Sequence, residues 1–129
     1  MGKKIFIVED DITLVSSLQA KFSVEGFNVT VHNGVGDITE IIKLLRISLP
    51  SLIILDLVLP KIDGFELLAA IKAEDDISHI PTFVFSNLSD NDSKEKCKNL
   101  GAEQYFVKSD FNVDQFIEKI KKIMTNKER

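Results

Sequence analysis

Four apolar runs in the chain stop at residues able to do chemistry. Ile5-Phe6-Ile7-Val8 ends on Glu9-Asp10-Asp11, Leu52-Ile53-Ile54-Leu55 on Asp56, Thr82-Phe83-Val84-Phe85 on Ser86, and Gln104-Tyr105-Phe106-Val107 on Lys108. If these runs are neighbouring strands of one sheet, the carboxylates of Glu9, Asp10 and Asp56, a hydroxyl and an ammonium converge on a single edge. Two carboxylates about 4 Å apart repel by about 4 kcal/mol at an effective dielectric of about 20, so three stay ionised together only with a cation. An all-oxygen donor set without thiolate or imidazole favours a hard ion, and Mg²⁺ fits best. A carboxylate in such a set can attack phosphorus and form an acyl phosphate, provided the charge on the equatorial oxygens is neutralised. Asp56 is the candidate nucleophile, with Mg²⁺, the Lys108 ammonium and the Ser86 hydroxyl each taking one phosphoryl oxygen.

The elements that must position these groups alternate along the chain. After the first strand Asp11 can cap a helix with Leu14, Leu18 and Phe22 on its inward side, closed by Gly26. Phe27 to Val31 alternates as a second strand. Asp37 opens a helix bearing Ile38, Ile41, Ile42 and Leu45, and Pro50 closes it. Pro60 and Asp63-Gly64 punctuate the loop before a third helix around Phe65, Leu68 and Ile71, and a mostly polar segment from Ser89 to Leu100 precedes Gly101. The last helix carries Val113, Phe116, Ile117, Ile120 and Met124 on one face. Strict alternation predicts a parallel sheet covered on both faces, because each crossover returns the chain to the same edge. Ligands in such sheets sit beyond the strands' C-terminal ends, where these acids gather.

With 129 residues there is room for one domain, expected over residues 1–125, with 126–129 as a frayed tail. A composition of 44% hydrophobic and 28% charged residues excludes collagen-like and strongly disordered chains. The net charge of −4 disfavours direct nucleic-acid binding and an anionic membrane surface. Nine of the sixteen basic residues lie from Lys94 onward, but Glu95, Asp110, Asp114 and Glu118 interleave with them, as on solvated helix faces. Cys97 is the only cysteine, so no internal disulfide forms and a packing role is expected. No apolar run has the length of a membrane span or signal-peptide core, and the expected location is cytoplasmic.

Taken singly these residues say little. An Asp after a strand is more often a cap or turn residue, Lys108 alone reads as a surface lysine and Tyr105 alone as a half-buried sheet aromatic. His32 and His79 have no positioned partner, so structural or surface roles are expected for both. Together, Ile-Val-Glu-Asp-Asp at 7 to 11, Leu-Asp-Leu-Val-Leu-Pro-Lys-Ile-Asp-Gly at 55 to 64, Phe-Ser at 85 to 86 and Tyr-Phe-Val-Lys at 105 to 108 resemble the receiver domain of two-component response regulators across essentially the whole chain. The resemblance implies a flavodoxin-like (CheY-like) α/β fold, a doubly wound sheet of five parallel strands with five helices. It implies that Asp56 accepts a phosphoryl group from a sensor histidine kinase or histidine phosphotransfer protein. Asp10, Asp56 and the Val58 carbonyl would bind Mg²⁺, with Glu9 acting through a water. It also implies a switch in which Ser86 moves toward the phosphoryl group and Tyr105 swings inward, altering the surface formed by the fourth helix, fifth strand and fifth helix.

The chain departs from the family pattern at two places. Ser109 follows Lys108 where the family usually has proline in a cis peptide; a cis bond costs about 2.5–4 kcal/mol before other residues against about 0.5–1 before proline, so a trans bond or a shifted loop is expected. Asn87 follows Ser86 where a small residue is usual, and can crowd the pocket or donate to it. A dehalogenase-type phosphatase would need a second Asp where Val58 stands, and a dinucleotide site would need glycines where Glu9-Asp10-Asp11 stands. The expectation is a phosphoacceptor with slow autodephosphorylation rather than a turnover enzyme. Read as a single-domain receiver, it would act on a downstream protein target of unknown identity or through a phosphorylation-dependent dimer. The alternative is a degenerate receiver that binds protein without phosphorylation.

Overall fold

The apolar runs that stop at charged residues fold as strands in a computed structural model that describes residues 3–128. The order is β1 (Lys4–Val8), α1 (Ile12–Val24), β2 (Asn28–His32), α2 (Ile38–Ser48), β3 (Leu52–Leu55), α3 (Gly64–Ala73), β4 (Thr82–Ser86), α4 (Asn91–Leu100), β5 (Gln104–Val107) and α5 (Val113–Glu128). A single 3-10 turn, Lys108–Asp110, joins β5 to α5. The strands form one parallel sheet in the order β2-β1-β3-β4-β5. The chain therefore changes direction across the sheet at β1, which opens a crevice beyond the C-terminal ends of β1 and β3.

Alternation of side chains explains why these strands are apolar throughout. Phe6 and Val8 of β1, Ile53 and Leu55 of β3 and Val84 of β4 pack with Ile41, Leu45, Leu68, Ile71 and Cys97 from α2, α3 and α4. Their neighbours Ile5, Ile7, Leu52, Ile54, Phe83 and Phe85 face the other way, onto Leu18 and Phe22 of α1 and Phe116, Ile117 and Ile120 of α5. Aromatic rings dominate this second core: Phe116 stacks on Phe85 with centroids 3.8 Å apart and meets Phe106 edge-on at 5.4 Å. Burial pushes the Cys97 thiol up to about 11, which keeps it a neutral packing group as expected.

Each helix after a strand starts on a side-chain cap. Asp11, Asp37, Asp63 and Asp90 accept from the N–H groups of Leu14, Glu40, Phe65 and Ser93. At α5 the cap is reciprocal: Asn112 Oδ1 accepts from Gln115 N–H, and Gln115 Oε1 accepts from Asn112 N–H. At the rim opposite the strand exits, Lys72 Nζ donates to the Ser78 and Ile80 carbonyls at 3.0 Å each and to Glu103, which also accepts from Thr82 N–H.

Several boundaries differ from the sequence reading. β2 begins one residue later than Phe27, and Ser86 is the last residue of β4 rather than the first beyond it; α2 closes just ahead of Pro50, as read, with Leu49 in a left-handed conformation at φ 45°. A tail was expected over residues 126–129; helical geometry in α5 continues to Glu128, since no glycine or proline interrupts that polar run, and Arg129 lies outside the described residues. Among the described residues no helix is long and apolar enough to cross a membrane. Truncating the fully buried Phe116 to Ala removes the ring shared by Phe85 and Phe106. We expect it to lower stability by about 3–5 kcal/mol in urea denaturation, with an unchanged denaturant slope.

Candidate functional site

Backbone hydrogen bonds continue past the strand ends and fix where the acids leave the sheet. Glu9 N–H donates to the His32 carbonyl at 3.0 Å, and Asp56 N–H donates to the Val8 carbonyl at 3.1 Å. Glu9 (4% exposed) and Asp56 (6% exposed) thus point into the crevice between β1 and β3, while Asp10 stands at its exposed mouth. From the other side, Lys108 Nζ donates to Asp56 Oδ2 at 2.9 Å and lies 2.7 Å from Glu9 Oε1. One ammonium therefore bridges two buried carboxylates from different strands. Oxygen atoms of Glu9, Asp10 and Asp56 all lie within 4.8 Å of one another.

Local bonds satisfy the rest of the pocket. Glu9 Oε2 accepts from the Asp10 and Asp11 N–H groups, and Asp56 Oδ1 accepts from Val58 N–H at 3.3 Å. Val58 forms an isolated antiparallel bridge with Asp63, and its side chain is 58% exposed. Gly64 closes the same loop so tightly that a Cβ there would stand 2.6 Å from the Asp56 carbonyl oxygen and collide with the Leu57 backbone. Gly64 N–H donates to the Leu57 carbonyl. The glycine is required by this close approach of backbone to backbone, which the sequence showed only as turn punctuation.

Ser86 and Tyr105 share a partner. Ser86 is fully buried, and its Oγ accepts from Leu88 N–H at 3.3 Å, while the half-buried Tyr105 donates its hydroxyl to the Leu88 carbonyl at 2.7 Å. The loop between β4 and α4 is thereby held at one residue by both groups. Nothing in the sequence singles Leu88 out, because its contribution is main-chain only. Burial pushes the Tyr105 phenol up to about 12, so it stays a neutral donor. Asn87 is exposed.

No cis peptide occurs among the described residues, so the Lys108–Ser109 bond is trans. The turn Lys108–Asp110 still delivers the ammonium to Asp56. His32, expected to lack a positioned partner, has two: its Nδ1 accepts from Gly34 N–H at 2.9 Å and its Nε2 lies 2.9 Å from Glu40 Oε1. These bonds close the loop between β2 and α2, a structural role; Glu40 sits in the first turn of α2, away from the strand exits that the sequence pattern singled out.

Three carboxylates against one ammonium leave two surplus negative charges, the charge of a divalent cation. The surplus makes the cluster attract protons. Burial, with the Asp56 charge added, raises the Glu9 carboxyl above its ordinary value despite the Lys108 hydrogen bond. Burial works against the Lys108 ammonium, but hydrogen bonds and charge from Glu9 and Asp56 prevail and raise it too. The residues fit a divalent ion by donor chemistry, spacing and charge.

Open parallel topology with an acidic, lysine-bridged crevice at its switch point defines an ion-binding α/β domain of flavodoxin-like build. The chain belongs to the response regulator receiver domain family, whose model matches residues 5–121. It is 30% identical over 122 residues to the polar-differentiation response regulator DivK of Brucella anthropi, covering 94% of this chain and 95% of that one. Among solved structures it is similar to the phosphorylated cyanobacterial phytochrome response regulator RcpA, with 32% identity, a TM-score of 0.79 and coverage of 95% and 91%. The Mn²⁺-bound form of response regulator Rcp1 gives 28% identity, a TM-score of 0.74 and coverage of 90% and 88%. The chain spans 42% of the length of two curated transcriptional regulators it matches.

Two outcomes follow from this geometry. Gly64→Ala should destabilise the protein by about 1–3 kcal/mol and shift the amide resonances of Asp56 to Val58, read by denaturation and NMR. Because the folded pKa of Glu9 lies above its unfolded value, the stability it contributes is complete below the ordinary carboxylate range and is lost as pH rises through the folded value. Glu9 carbon NMR should give a midpoint above 4.5, and Glu9→Gln should remove that part of the metal-free stability profile.

Proposed function

We propose that this receiver domain accepts a phosphoryl group on Asp56 from a phosphohistidine of a sensor histidine kinase or histidine phosphotransfer protein. The observation that carries the reading is the Lys108 ammonium bridging Asp56 and Glu9 with Asp10 within ligand distance. Asp10, Asp56 and the Val58 carbonyl would hold Mg²⁺, and Glu9 would act through a water. When bound, the ion screens the carboxylates from a phosphoryl oxygen. Asp56 attacks phosphorus, the P–N bond breaks, and the electron pair leaves with the imidazole. Lys108 turns its ammonium from the carboxylates to an equatorial oxygen, and the Ser86 hydroxyl donates a hydrogen bond to another.

The same step reaches the surface through Leu88. As Ser86 turns to the phosphoryl group, its hold on Leu88 N–H changes, and the Tyr105 hydroxyl is bonded to the same residue's carbonyl. The surface of α4, β5 and α5 would then recognise a downstream protein or a second phosphorylated copy. We place this activity in the cytoplasm, without a direct role in nucleic-acid or membrane binding, and with acceptance and slow self-hydrolysis rather than turnover. Phosphorylation-independent protein binding is less favoured, since it gives no reason to assemble the acids and lysine in one buried crevice.

With Mg²⁺, acetyl phosphate should add one phosphoryl equivalent to the intact protein and beryllofluoride should bind at the same site; Asp56→Asn should abolish both. Unchanged mass and spectra for the wild type would sink the reading. Lys108→Ala should slow acceptance by about 10²–10³-fold. Mg²⁺ at one hundred times its Kd should stabilise the protein by about 2.7 kcal/mol, and Asp10→Asn should shrink that gain in thermal melts.

A further inference from the structure

The reach of Lys108 depends on how its turn is anchored. Lys108 opens the 3-10 turn Lys108–Asp110, where the Phe111 N–H donates to the Lys108 carbonyl at 3.3 Å. Ser109 and Asp110 are exposed. The Phe111 ring turns inward, meeting Phe106 edge-on at 5.6 Å and Phe116 at 6.4 Å. Phe106 belongs to β5 and Phe116 to α5, so the ring fastens the turn to the elements on both its sides. Directly after it, the reciprocal Asn112–Gln115 cap fixes the start of α5.

We propose that Phe111 is the positioning residue for Lys108, seating the turn in the aromatic core so that the ammonium spans Glu9 and Asp56. For phosphoryl acceptance this inference rests on the function proposed above. Without the ring, the turn loses its anchor in the aromatic core, and Lys108 is positioned from the β5 side, through the pairing of Val107 with Ser86. A displacement of about 1 Å at a reacting group is worth up to about a hundredfold in rate.

Two readouts separate the placement of Lys108 from phosphoryl chemistry. In ¹⁵N NMR without any phosphate donor, the wild type and Phe111→Leu should show a protected Lys108 ammonium signal, and Phe111→Ala should lose it with circular dichroism unchanged. With Mg²⁺ and beryllofluoride, Phe111→Ala should bind the analogue about ten- to a hundredfold more weakly, Phe111→Leu should recover most of the loss, and in a Lys108→Ala background Phe111→Ala should cost nothing further. A retained ammonium signal in Phe111→Ala, an equally deep loss in Phe111→Leu, or an undiminished Phe111→Ala effect on the Lys108→Ala background would overturn the proposal. If Phe111→Ala fails to fold, the Leu variant alone and on the Lys108→Ala background decides by the same criteria. A wild type with the protected signal but no beryllofluoride binding would instead overturn the function and leave the positioning intact.

Discussion

Two surplus negative charges gathered at one rim of a sheet are the constraint on which this structure turns. A lone ammonium between Glu9 and Asp56 cannot neutralise three carboxylates, and the elevated Glu9 and Lys108 pKa values are two signs of the same imbalance. Removing a charged group from water costs several kcal/mol even after relaxation, so such a cluster survives only on a scaffold with stability to spare. Here the scaffold is two apolar layers that cover both faces of the sheet. The fold supports the site's electrostatic strain, and that strain gives the site its affinity for cations and for proton-like charge.

The scaffold positions the acids by main-chain means. The ladder continues one residue beyond β1 and β3, through Glu9 N–H and Asp56 N–H, so each carboxylate leaves the sheet from a hydrogen-bonded residue. Gly64 then brings the loop after β3 into backbone contact with Asp56 and Leu57. A side chain at Gly64 would have to compete with the backbone of Asp56 and Leu57 for the same space. Precision at the pocket thus comes from elements whose identity matters less than their shape.

That division explains what could be read from the residues alone. The parallel sheet, its two-faced core and the convergence of Glu9, Asp10, Asp56 and Lys108 were legible because apolar runs ending on charge are side-chain signals. Asp11 and Asp37 announced their helices for the same reason. The link through Leu88, the tight approach at Gly64 and the two bonds of His32 were not legible, since main-chain partners and loop closure leave no pattern in residue type. Ser109 forecast a trans bond or a displaced loop correctly, but the inward seat of Phe111 depends on which rings lie beneath it. The reach of α5 to Glu128 follows from the lack of a glycine or proline breaker there.

The rim farthest from the acids has its own fastening. Lys72 reaches from α3 to two carbonyls ahead of β4 and to Glu103 ahead of β5, and Glu103 also takes Thr82 N–H. Two successive crossovers are clamped there by one nearly buried cation with its charge matched. The domain is consequently built like a book with two differently fastened margins: one sealed by matched charge, the other held together while keeping a surplus to offer.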